Sequence, residues 1–106
     1  MTAAGLSPEG ALRWLASLSI DLRATAVLDA SGAVLAGDAA LAARAAAALG
    51  AAAGGASETV PAEVGDGDLL AMRAGRHTVA AALGPHALRR VTRCDLAAAA
   101  AALDGT

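Results

Sequence analysis

Lysine, asparagine, glutamine, phenylalanine and tyrosine are absent from this chain, and tryptophan and cysteine occur once each, as Trp14 and Cys94. Each gap excludes something. A single cysteine cannot form an internal disulfide, which removes the stapled secreted scaffolds and suits a reducing compartment. With no Phe or Tyr there is no row of rings on which bases could stack, and a net charge of -2 gives no general attraction to nucleic acid. The late apolar run, Leu96–Leu103, falls short of the ~20 residues a bilayer span needs. The first residues, Met1–Glu9, lack the basic and apolar regions of a signal peptide. A soluble cytoplasmic protein that touches neither membrane nor nucleic acid is expected. The phosphate-binding loops of nucleotide enzymes are missing too, and no cofactor is expected.

What the chain does hold is mostly alanine and leucine, within 106 residues that suit one domain, 1–106. At 57% hydrophobic and 17% charged it should fold rather than stay disordered. Alanine buries little area, and burial is worth roughly 25 cal/mol per Å². The core is therefore thin for its length, a condition often relieved by a partner subunit.

The organising stretch is Ala24–Asp38, ATAVLDASGAVLAGD, two apolar runs around an Asp-Ala-Ser-Gly turn in which Gly32 is free to take positive φ. Ahead of it, Ser7-Pro8-Glu9 is a helix start: a hydroxyl cap, a proline at the first position and an acid near the positive dipole end. Ala11, Leu12, Leu15 and Leu18 then share a face, with Trp14 on its flank, predicting a helix that ends near Ser19. Strands are predicted over Arg23–Asp29 and Ala33–Ala36. Asp38 then caps a second helix, Ala39–Ala53, terminated by Gly54-Gly55. Its inner face is Leu41, Ala45, Ala48, Leu49 and Ala52, and Arg44 is its only charge. A helix apolar all round either has a second neighbour or simply follows alanine's helix propensity.

Ala56–Gly67 is ambiguous, with strand-like alternation at Glu58-Thr59-Val60 and Glu63-Val64 and an edge-confining Pro61. Strands at Asp68–Arg73 and His77–Leu83 flank the turn Ala74-Gly75-Arg76. Gly84-Pro85 then stops the last strand and opens a helix over Pro85–Leu103, with a kink conceivable near Cys94-Asp95. Leu88, Leu96, Ala99 and Leu103 share one face of that helix, with Val91 beside them.

No catalytic constellation emerges, and no enzyme is expected. Gly65-Asp66-Gly67-Asp68 hints at a calcium loop, but the acid required eleven residues after Asp66 is His77. His77, His86 and Cys94 lack zinc-site spacing, so no metal site is expected. Cys94 has no nearby base–acid pair to make it a nucleophile. Asp29, Asp38 and Asp66 are accounted for by turn and cap duties. The one concentrated charge feature is His86, Arg89, Arg90 and Arg93, either a solvated helix face or a surface for an acidic partner or a phosphate.

The order helix, two strands, helix, two or three strands, helix, with the hairpin LDASGAVLAGD and the closing LLAMRAGRHTVAAALG, resembles the roadblock/LC7 family from about Leu12 to Leu103. That resemblance implies an α+β, profilin-like fold, α-β-β-α-β-β-β-α, with a central antiparallel sheet of about five strands. The second helix would lie on one face and the terminal helices on the other. It further implies a homodimer paired through the second helix and the neighbouring edge strand, here Leu41, Arg44, Ala45, Ala48, Ala52 and Val60. Its members act by binding, the bacterial ones as regulatory partners of small Ras-like GTPases. The expected function is thus a non-catalytic regulatory or scaffold module that binds such a GTPase or a related signalling partner, for example a histidine-kinase system protein. The alternative is a PAS-like sensory domain holding a small ligand between sheet and helix.

Overall fold

The computed structural model describes residues 7–18, 21–52, 62–66, 68–74 and 76–104. The elements run α1 (Pro8–Leu18), β1 (Leu22–Leu28), β2 (Val34–Gly37), α2 (Ala39–Ala52), β3 (Ala62–Asp66), β4 (Leu69–Ala74), β5 (His77–Leu83) and α3 (Arg89–Asp104). This is an α+β fold whose five strands form one antiparallel sheet in the order β2-β1-β5-β4-β3. The expected Val60 and Pro61 edge and the Gly54-Gly55 stop lie outside the described residues.

Local chemistry explains the boundaries. The Ser7 hydroxyl accepts the Gly10 amide at 2.9 Å and starts α1. In the β1–β2 turn the Asp29 carboxylate accepts the amides of Ser31 at 2.8 Å and Ala33 at 3.0 Å and the Ser31 hydroxyl at 2.6 Å. Gly32 closes that turn at φ 89°, as the sequence suggested. Asp38 caps α2 through the Leu41 amide at 2.9 Å.

The sheet is covered on both faces. On one, α1 and α3 bury Ala11, Leu15, Leu96, Ala99, Ala100 and Leu103 against Val27, Leu70, Met72, Val79 and Ala81. On the other, α2 buries Leu41, Ala42 and Ala45 against Ala26, Leu28, Leu69, Ala71, Ala80 and Ala82. Register makes these layers regular: Ala26, Ala80 and Ala71 are paired in one row across β1, β5 and β4, and Val27, Val79 and Met72 in the next. The alanine row gives α2 a flat floor, met from above by Ala42 and Ala45. Central β5 is buried from Thr78 to Ala82 because helices cover it on both sides.

Three expectations need correction. Pro85 does not open a helix. The Gly84 amide donates to the Asp21 carbonyl at 2.8 Å and the His86 amide to the Asp21 carboxylate at 2.9 Å, tethering the segment to the start of β1. The helix begins only at Arg89, where the Leu88 carbonyl accepts the Thr92 amide at 2.8 Å, and it then runs as one element. Leu88 and Val91 consequently miss the core and are 53% and 51% exposed, while Thr92 takes the inward position. Leu18, expected on the inner face of α1, is half-exposed at the end of that helix.

Candidate interaction surfaces

Two surfaces inherit the functional expectations: the outward face of α2, and the loop and first turns leading into α3. On α2, Leu41 and Ala45, expected at a dimer surface, instead lie against the sheet at 3% and 0% exposure. Ala48 is half-buried and packs against the same layer. The outward residues are Ala39, Ala40, Ala43, Arg44 and Ala47. Periodicity could not separate the two sides because alanine occupies both. Arg44 reaches from this face to Asp68 in the β3–β4 turn, guanidinium to carboxylate at 2.8 Å. Val60 and the Ala52 side chain lie outside what is described.

The four expected partner-binding residues are all exposed, but they do not form one helix face. Arg89, Arg90 and Arg93 lie in the first two turns of α3, whereas His86 belongs to the tethered loop. Asp21 organises that loop. It holds a left-handed φ of 59°, which aspartate tolerates better than most residues. Its carboxylate also meets the Arg23 guanidinium at 3.1 Å. Gly84 passes so close that an added Cβ would fall 2.2 Å from that carboxylate. Beside these residues, Leu88 and Val91 extend the surface with exposed apolar side chains that helical periodicity had assigned to the core.

The remaining candidates separate. Asp29 and Asp38 are occupied as turn and cap, Asp66 closes β3, and His77 opens β5. Cys94 is an exposed thiol on α3. Among the described residues no group of three or more His, Cys, Asp or Glu could hold a metal ion, and no helix is long and apolar enough to cross a membrane. Two open clefts lie at sheet margins. One, of about 400 Å³, is bordered by Ala16 and Asp21–Thr25. The other, of about 180 Å³, sits between the β1–β2 turn, Ala46, Arg73 and Thr78, where the Arg73 guanidinium donates to the Ala30 carbonyl at 3.2 Å.

Three aspartates are held below their ordinary value of 3.8: Asp21 chiefly by the His86 amide, Asp29 chiefly by the Ser31 hydroxyl, and Asp68 chiefly by the Arg44 guanidinium. A depressed carboxylate contributes stability that is complete above its unfolded value and lost as pH falls through the folded one. The urea midpoint is therefore expected to hold from neutral pH down to the ordinary aspartate range and to drop below 3.8. A midpoint that rises on acidification below that value would contradict these contacts.

Compared with known proteins, the chain matches no family model, no curated protein and no solved structure.

Proposed function

We propose that the chain is a non-catalytic regulatory or scaffold module that pairs with a second copy of itself and docks a small Ras-like GTPase or a related signalling protein. The observation that carries this is the outward face of α2: four exposed alanines, Ala39, Ala40, Ala43 and Ala47, around one arginine. Small side chains let a second helix approach closely, and a helix apolar on both sides suits burial on both. The roadblock/LC7 resemblance supports the same reading, since the α2 layer opposite α1 and α3 is the arrangement it implies.

Light scattering tests the pairing. The native chain is expected to weigh as a dimer at high micromolar concentration. Ala43→Arg and Ala47→Arg, both at exposed positions, should shift it to a monomer with an unchanged far-ultraviolet spectrum. A monomeric native chain overturns the self-pairing, and a dimer indifferent to both changes overturns its assignment to α2.

A further inference from the structure

The surface at the start of α3 carries side chains that neither helix preference nor burial favours. Arg89, Arg90 and Arg93 crowd three of the chain's eight cations into five residues, at a helix end with no acid in its first turn. The positive end of a helix dipole disfavours them there, whereas it would favour an acid. Leu88 and Val91, beside them, each leave about half of their surface in water. The platform is nonetheless ordered: Asp21 tethers Gly84 and His86, the Ala87 amide donates to the Gly84 carbonyl at 3.2 Å, and Thr92 anchors the first turn at 1% exposure. Local preference and burial thus both run against these side chains, as they do where a surface is kept for binding.

We infer that residues 86–93 form a docking surface for an acidic, amphipathic protein segment, whose carboxylates pair with the arginines and whose apolar residues cover Leu88 and Val91. Guanidinium forks suit carboxylates, and arginine beside exposed aliphatic side chains is an interface composition. Shape argues against a compact anion. Successive helix positions turn by about 100°, so Arg89, Arg90 and Arg93 share one side of α3 while Val91 lies beyond Arg90, and the whole is a convex face rather than a pocket closing on one point. Neither cleft is lined by residues 86–93, although the larger one shares Asp21 with the border of the patch. Charge argues against a flat anionic membrane, which would also press on Asp21 and Asp95 at the borders of the patch. The surface is on the sheet face opposite α2, so self-pairing through α2 leaves it accessible on each copy. This inference rests on the reading of the chain as a protein-binding module but not on its self-pairing.

The test is a nuclear magnetic resonance titration of the full-length ¹⁵N-labelled chain with a synthetic peptide carrying Glu and Leu at helical spacing. Saturable shifts centred on residues 86–94 are expected. Binding should weaken by at least about tenfold in the combined Arg89→Glu, Arg90→Glu, Arg93→Glu variant, as for loss of charged hydrogen bonds. It should also weaken when Leu88→Ser and Val91→Ser are combined, and when the peptide's leucines are replaced by serine. Each variant's urea midpoint guards against misfolding, which the exposure of all five positions makes avoidable. Shifts centred elsewhere, or equal binding by the charge-reversed variant, overturn the inference. So does binding to phosphatidylglycerol vesicles without binding to the peptide. Light scattering on the same samples keeps the two proposals apart: a dimer that ignores the peptide sinks only this one, and a monomer that binds it sinks only the self-pairing.

Discussion

Gly37→Ala is expected to lower the stability of the fold by about 3 kcal/mol or more, from backbone strain and overpacking together. Gly37 sits at the end of β2 with φ 93°, a conformation that side chains resist. A Cβ there would fall 2.2 Å from the Thr25 carbonyl oxygen and 2.7 Å from the Ala26 Cα, both backbone atoms, with the Leu12 side chain at 3.0 Å above. The methyl group can be accommodated only by parting β2 from β1, where Gly37 pairs with Ala26, or by lifting α1. Small domains hold only about 5–15 kcal/mol in total, so one methyl removes a large share. Gly32→Ala is the internal control. Its φ is similar, 89°, but its nearest neighbour would be the Ala46 Cβ at 3.6 Å, an ordinary contact. Backbone strain alone remains, about 1 kcal/mol. Urea unfolding followed by circular dichroism reads both, and equal losses would show that the close approach at Gly37 is relieved without cost.

Gly37 also marks where sequence reading stops. Elements with their own local chemistry were legible. The Ser7 and Asp38 caps, the Asp29–Gly32 turn and the span of β5 all lie where residue type and spacing put them, because each depends on neighbours a few positions away. Gly37, just past the expected strand Ala33–Ala36, carried no sequence signal of its own, since the Thr25 carbonyl that requires it is twelve positions distant. Pro85 misled for the same reason: Gly-Pro is a sound helix start locally, but Asp21, more than sixty positions earlier, holds the loop open. Leu88 followed that error, because it precedes the first residue of α3, while Leu96, Ala99 and Leu103 are buried as expected and Val91 sits one position before the inward Thr92.

The candidate surfaces were less legible than the fold, and alanine is the reason. A hydrophobic stripe is visible only against a polar background, and α2 offers almost none. The alanines do two different jobs. Ala42 and Ala45 are small because the Ala26–Ala80–Ala71 row brings helix and sheet together, whereas Ala39, Ala40, Ala43 and Ala47 face outward. The basic cluster was visible, since three arginines in five residues need no phase to be noticed. The apolar residues that give it the character of an interface were not.

Those two kinds of alanine can be told apart by one substitution at each, and the second large effect lies there. Ala45→Arg is expected to unfold the chain rather than dissociate it. Ala45 is fully buried, its layer holds only three leucines, Leu28, Leu41 and Leu69, among five other buried alanines and itself, and no acid belongs to that cluster. An uncompensated buried charge costs about 3–5 kcal/mol, and the added volume would force α2 off its alanine floor. Ala43→Arg, two positions earlier and outward, adds the same side chain where water can solvate it. Urea unfolding should therefore place the two variants far apart, while light scattering shows a folded monomer for Ala43→Arg. If Ala45→Arg instead stays folded and merely dissociates, then α2 presents the Ala45 side to its partner, and the layer described between α2 and the sheet is wrong. Loss of the fold in one variant and loss of the mass in the other assigns the inner alanines to stability and the outer ones to self-recognition.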